Sequence, residues 1–332
     1  MIKCVSACLL SVCFVVSSTW AAAQLIWEKH PEPLIVPGDG NLPGEDTVRS
    51  PSIVEMGDGT YRIYYGVGDL NGPGRVGGIS MATAPVNDPR NLTQYPGNPI
   101  RTGISGDGAF PFVVRLTDTQ WRMYIGAGLY TSSDGINWIP YGTVLFPKAP
   151  ENGIGSCCVI FDGDHWKMYY TSIRLDAGLP DGREVHVALA VSDNGLNFQQ
   201  IEANPLFPVR KNDNPDGYEH INSKPFVLID NGRYRMWYNE QTINRPYRIR
   251  YAESSDGVNW VRMFGSEGID VSATGWDAGM IEYPFVIRHG ARYRMWYTGN
   301  HYGYDGYGLP TGIGLAEARL ETRITPRNWL FY

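Results

Sequence analysis

The side chains of this protein best suited to chemistry are carboxylates that stand beside apolar residues. Glu282 is the sharpest case. It lies in the run Met280-Ile281-Glu282-Tyr283-Pro284. A carboxyl set among apolar side chains is desolvated, which raises its pKa and suits it to hold and deliver a proton near neutral pH. Asp46, Asp107, Glu219 and Asp277 lie just ahead of comparable apolar runs and are the candidates for a second carboxyl acting with it. Arg49, His220, Lys224, Trp276, Tyr283, Glu240 and His301 occur in the same neighbourhoods, as candidate ligand-binding residues. Such a mixture fits a polar, hydroxyl-rich ligand, because aromatic faces stack on its apolar faces while carboxylates and amides bind its hydroxyls. Any one of these acids could equally cap a turn or keep a surface soluble.

The elements that must position these residues repeat. Tyr61-Arg-Ile-Tyr-Tyr65, Trp121-Arg-Met-Tyr-Ile125, Trp166-Lys-Met-Tyr-Tyr170, Tyr234-Arg-Met-Trp-Tyr238 and Tyr293-Arg-Met-Trp-Tyr297 are five copies of one strand with the period of two that strands require. Ahead of each copy runs an apolar segment, most often opened by proline: Ser50-Pro51-Ser52-Ile53-Val54, Phe110-Pro111-Phe112-Val113-Val114, Ser156-Cys157-Cys158-Val159-Ile160, Lys224-Pro225-Phe226-Val227-Leu228 and Tyr283-Pro284-Phe285-Val286-Ile287. A run apolar on both faces suits an inner strand, and proline at its start costs no ladder bond. Turn residues such as Gly57-Asp58-Gly59 and Asp230-Asn231-Gly232 join the two strands as a hairpin. Asp-Gly or Asn-Gly turns leading to Trp138, Phe198 and Trp260 start an outer strand. Repeats of this kind predict an all-β, five-bladed β-propeller with four-stranded antiparallel blades. The last unit lacks its outer strand, and the stretch from Trp27 to Pro37 resembles one, so the N-terminal strand is expected to complete the fifth blade and close the ring. Two packed sandwiches would not generate five like units.

The face of the site follows from this order. The starts of the inner strands and the connections after the aromatic strands open on one face, where the residues named above collect.

Of the 332 residues, residues 1–23 read as a secretory signal: Lys3, an apolar run from Val5 to Val16, then Ala21-Ala22-Ala23. Residues 24–332 are expected to form the single propeller domain, secreted or periplasmic and monomeric. A formal charge of −6 without basic blocks argues against nucleic acid or an anionic membrane as partner. Three of the five cysteines fall in the signal, leaving Cys157-Cys158, which could close a strained disulfide or stay as two buried thiols. The six histidines are scattered without zinc-ligand spacing. No cofactor is required; a calcium ion could sit in the channel on carboxylates and carbonyls.

The segment Trp276-Asp-Ala-Gly-Met-Ile-Glu-Tyr-Pro-Phe-Val-Ile287, followed by Tyr293-Arg-Met-Trp-Tyr-Thr-Gly-Asn300 and Gly312-Ile-Gly-Leu-Ala316, resembles the five-bladed propeller glycosidases. These are the arabinanase, xylosidase, invertase and mannoside-phosphorylase superfamily, and the resemblance covers nearly the whole of residues 24–332. It implies a base or nucleophile immediately before the first inner-strand proline, a second acid from the next blade, and a general acid in a Glu-x-Pro setting. Here Ser50, Phe110 and Gly155-Ser156-Cys157 stand where acids would be, and Glu282-Tyr283-Pro284 matches Glu-x-Pro in the fifth blade. The resemblance implies glycoside hydrolysis with Glu282 as general acid and a relocated partner. A carbohydrate-binding propeller without catalysis remains open. So does a lyase, isomerase or cyclase using His220, Lys224 or Tyr283 for proton transfer.

Overall fold

In the computed structural model, which describes residues 23–43, 45–69, 76–105, 109–176, 178, 182–210, 217–263, 268–301 and 311–322, the elements are β-strands, with no α-helix among the described residues. Residues 1–22 of the expected signal, and Asp107, lie outside them. The strands form five successive antiparallel meanders, one per sequence repeat. The first holds β2 (Thr47–Glu55), β3 (Thr60–Gly68), β4 (Val76–Pro85) and β5 (Thr93–Gln94), with β6 (Arg101–Ser105) also on β4. The second holds β7 (Pro111–Thr117), β8 (Gln120–Ile125), β9 (Gly128–Ser132) and β10 (Ile139–Thr143). The third holds β11 (Gly153–Phe161), β12 (Trp166–Leu175), β13 (Arg183–Ser192) and β14 (Gln199–Gln200). The fourth, joined to the third by a single parallel pairing of Val185 with Ile221, holds β15 (Glu219–Asp230), β16 (Arg233–Thr242), β17 (Arg245–Ser254) and β18 (Trp260–Arg262). The fifth holds β19 (Met280–His289), β20 (Arg292–Asn300) and β21 (Gly312–Thr322), and its fourth strand is β1 (Ala23–Lys29). β1 runs antiparallel to β21 from Ala23↔Thr322 to Lys29↔Ala316. The strand thus starts upstream of the expected Trp27, and beyond Lys29 the backbone still bonds β21 through His30, Leu34 and a bridge of Ile35 with Ile313.

The aromatic strand of each unit docks on its neighbour, which is why its sequence recurs. Arg62 donates to the Asp134 carbonyl and Tyr64 to Gly135 O at 2.8 Å; Arg122 and Tyr124 reach Asn194 and Gly195, and Lys167 and Tyr169 reach Asp256 and Gly257. Trp237 meets Trp27 of β1 edge-on at 6.3 Å, and Trp296 meets Tyr61 at 5.4 Å. The largest fully buried side chains are accordingly all tryptophan or tyrosine, and several of them stand where one unit meets the next. Glycine is required in the receiving turn: Gly257 has φ +75°, and a Cβ there would stand 2.5 Å from the Tyr169 hydroxyl.

The aspartates of these turns carry weight of their own. Asp256 accepts from the Asn259 side chain and backbone, Val258 N and Ser254 Oγ, and these bonds hold its carboxyl well below the ordinary range. A depressed carboxyl contributes stability above its unfolded pKa near 3.8 that is lost as the pH falls through the folded value. Asp256→Ala is expected to lower stability by about 1 kcal/mol at pH 7, kept small by exposure to solvent, with the gap from wild type narrowing below about pH 4. Urea midpoints at pH 7 and pH 3 test it; an equal gap at both would rule the carboxylate out.

Cys157 and Cys158 are both free and buried. Neighbouring residues of a strand point to opposite faces. The Cys158 thiol meets the Val227 amide at 3.3 Å, and burial raises its pKa to about 12. The disulfide left open by the sequence is not formed.

Candidate functional site

Where the inner strands begin, the ladder opens. Register shifts fall between Arg49 and Ser52, Ser223 and Phe226, and Glu282 and Phe285, at the X-Pro positions of the first, fourth and fifth units, and between Ile154 and Cys157 in the third. Ser50, Lys224 and Tyr283, each immediately before proline, adopt left-handed backbone with φ of 54°, 52° and 52°. Non-glycine residues hold that conformation only where surroundings over-determine it, and it gathers at functional sites. The residue just after the preceding unit's aromatic pentad provides the restraint. Thr298 Oγ1 accepts from Ser50 N at 3.0 Å, Thr171 Oγ1 from Lys224 N at 2.9 Å, and Asn239 Oδ1 from Tyr283 N at 3.0 Å.

In the other two units the corresponding residue is Gly66 or Gly126, and the neighbouring backbone comes in close instead. A Cβ at Gly66 would lie 1.9 Å from the Ala109 carbonyl oxygen. Gly66→Ala is expected to destabilise by roughly 2–3 kcal/mol, since backbone must move to admit the methyl, and to displace Phe110. Differential scanning calorimetry checks this; an unchanged melting temperature would show that the approach is not required.

The mouth so formed is lined by Ser50, Phe110, Ser156, Cys157, Lys224 and Tyr283 with the prolines between them. Across it runs a ladder of cations and rings. Arg49 stands 5.9 Å from the Phe110 ring, Phe110 stacks on Tyr283 at 5.2 Å and 23°, and Lys224 Nζ lies 4.3 Å from Tyr283 and 3.6 Å from Tyr247. Lys224 Nζ is in direct contact with Glu282 Oε2, and both side chains are buried. Burial draws the Lys224 ammonium below its ordinary range, and Glu282 opposes that. Ser50 Oγ is buried without a hydrogen-bond partner. The cavity beneath encloses about 30 Å³, room for a water and not for a sugar ring, so a ligand would lie across the ladder. A larger open hollow of about 500 Å³ is lined by Ile53, Glu55 and Arg115 through Asp118, toward the far ends of the inner strands, away from these groups.

The structure brings Arg49, Lys224, Glu282 and Tyr283 together at the mouth and engages the other expected residues elsewhere. Glu219 accepts from Arg210 Nε at 3.0 Å and Arg262 Nη2 at 2.6 Å. Glu240 is met by Arg210, Arg245, Arg250 and Arg262 at 2.9 to 3.2 Å. Burial alone would raise the Glu240 carboxyl, but the guanidinium groups hold it below its usual range. Carboxylates so committed are poor acceptors for a substrate proton. Asp277 is buried against Lys29 Nζ at 2.7 Å and the Tyr297 hydroxyl at 2.9 Å, tying β1 to the fifth unit. Trp276 stacks on Tyr297 at 5.5 Å. His220 is buried and stacked on Tyr218, His301 is exposed with Nδ1 3.0 Å from Gly275 O, and Asp46 is half-buried with its amide on Gly68 O. Among the described residues no three His, Cys, Asp or Glu side chains form a group that could hold a metal ion, so the calcium considered for the channel has no such ligand set there.

Residues 110–289 match the family model described as "Glycosyl hydrolases family 32 N-terminal domain". The chain belongs to this family. It is 28% identical over 271 residues to the uncharacterized protein Rv1502 of Mycobacterium tuberculosis, covering 75% of this chain and 87% of that one. Among solved structures it is similar to one described as a BT0996 RGII complex, with TM-score 0.68 and 14% identity over 93% of this chain and 96% of that one. A second comes from work describing GH130 glycoside hydrolases that target β-1,2 mannosidic linkages in Candida mannan, with TM-score 0.60 and 13% identity over 90% and 94%. At such identities these two show a shared fold, that of the propeller glycosidases.

Sequence reasoning missed Tyr247 and the restraining residues Thr171 and Thr298. The latter carried a readable signal: a glycine or a short hydrogen-bonding side chain directly follows every aromatic pentad. Tyr247 carried none.

Proposed function

We infer that this chain is a five-bladed propeller enzyme of the glycoside hydrolase kind, with β1 closing its ring, that cleaves a glycosidic bond in a carbohydrate lying across the Arg49–Phe110–Tyr283–Lys224 ladder. The observation that carries this is Glu282: a buried carboxylate in a Glu-x-Pro setting, placed at the mouth by a restrained bulge and partnered there by a single lysine. The propeller reading draws support from unit-to-unit docking that runs from the first meander to the fourth, on to β1, and from the fifth back to the first. Aromatic faces beside polar groups suit a sugar. Hydrolysis needs a second carboxyl, and Asp107, three residues before Phe110, is the acid we assign to that role. The leader-like run of residues 1–23 supports action outside the cytoplasm.

A second reading has its own observation. The described residues that line the mouth include no carboxylate, the positions before the prolines being Ser50, Phe110, Lys224 and Tyr283, and Glu282 meets it through Lys224. That favours a carbohydrate-binding propeller, or a non-hydrolytic enzyme moving a proton through Lys224 or Tyr283. Incubating the purified protein with aryl-glycosides and plant and microbial polysaccharides separates them. New reducing ends support hydrolysis; saturable glycan binding without them, or unsaturated products, would replace it.

A further inference from the structure

We propose that Lys224 is a positioning residue that makes Glu282 work as an ionised carboxylate, a base or nucleophile, and not as the proton donor its Glu-x-Pro setting implies. This rests on the reading of Glu282 as the working carboxylate.

The geometry is a built counter-ion. Lys224 Nζ touches Glu282 Oε2, with 10% and 5% of the two side chains exposed. The amine is fixed before any ligand arrives: Thr171 holds its backbone amide, and the rings of Tyr247 and Tyr283 flank its charge at 3.6 and 4.3 Å. Ring faces attract an ammonium and have little use for a neutral amine. Arg49 on β2 and Arg183 on β13 act on the Lys224 charge from the surrounding strands, and Tyr247 on β17 and Tyr283 on β19 flank it. Each is a cation or a phenol. Cations close to a carboxyl favour its charged form.

The chemistry then follows. An ionised Glu282 accepts a proton from a water whose oxygen bonds to the anomeric carbon, while the bond from that carbon to the leaving oxygen breaks and its electron pair departs with that oxygen. A phenolate leaving group completes the balance unaided; an alkoxide needs a proton from another acid. Glu282→Gln therefore separates the two roles. The substrates are a dinitrophenyl glycoside and a methyl glycoside of whichever sugar wild type cleaves. A base or nucleophile is required by both, so the variant is expected to lose roughly 10³-fold on each. A proton donor is dispensable for the dinitrophenyl substrate. Retention of that activity within tenfold, with loss on the methyl glycoside, overturns the proposal.

Lys224→Met removes the cation in contact with Glu282 and leaves burial opposed only by more distant charges, so the acid limb of kcat/KM is expected to move up by about one pH unit or more, with Lys224→Arg restoring it. An unmoved limb, or a basic limb extended to higher pH, counts against the role. Infrared difference spectra of wild type minus Glu282→Gln read the charge without turnover. A carboxylate band at pH 7 supports the proposal, and a protonated carbonyl band overturns it. If wild type cleaves no glycoside, the hydrolase reading fails while the infrared result still decides the state of Glu282.

Discussion

Replacing Glu282 by glutamine is expected to lower turnover on every cleavable glycoside by roughly 10³-fold. Glutamine keeps the shape of the side chain and its place beside Tyr283, so binding across the ladder should persist and KM should change only a few-fold. Three of the other candidate carboxylates are committed elsewhere: Glu219 and Glu240 are engaged by Arg210, Arg245, Arg250 and Arg262, and Asp277 by Lys29 and Tyr297. Some stability will also be lost, because the Lys224 ammonium is left without its counter-ion. That loss is limited, since burial already draws Lys224 down and the amine can shed its proton. Activity and unfolding must therefore be measured on the same preparation. A folded variant that turns over within tenfold of wild type would remove Glu282 from the chemistry.

The architecture was open to sequence reasoning because its restraints are local and repeated. Tyr61 to Tyr65 and its four copies alternate with period two, and the Asp-Gly turns recur at matching places, so strands and meanders follow from spacing alone. The extent of β1 was less legible, since its pairing with β21 joins residues nearly the whole chain apart. The site divides in the same way. That Glu282 sits at an inner-strand start follows from the repeat, yet Glu219 sits at one as well. What distinguishes them is charge brought in across strands. Glu219 is met by Arg210, nine positions earlier, and Arg262, 43 later, whereas Glu282 meets Lys224, 58 earlier. Asp277 is claimed by Lys29 at a separation of 248. Such pairings depend on which units become neighbours, which no local pattern encodes. The adjacency of Cys157 and Cys158 left a disulfide and two buried thiols equally open, and strand geometry decides for the thiols by turning one toward Val227 and the other away.

Lys224→Met should be among the most destabilising single substitutions at the mouth, by about 3–5 kcal/mol. Methionine matches the length of the lysine stem and packs against the Tyr247 and Tyr283 rings, so little apolar contact is lost. The cost lies in Glu282, a carboxylate left buried without its ammonium. It can escape only by taking up a proton, so the deficit should shrink on acidification, when the carboxyl is neutral in both folded and unfolded chains. Pairing the change with Glu282→Gln tests the cause. In the double variant neither charge remains to be desolvated, and replacing both members of a buried ion pair by groups of similar volume is often close to neutral. Urea unfolding of the four proteins should therefore give a double variant more stable than Lys224→Met alone, with a coupling of about 1–3 kcal/mol. If the two losses simply add, the contact contributes nothing as a pair, and the left-handed backbone at Lys224 and Tyr283 must be held by Thr171 and Asn239 without help from the charges.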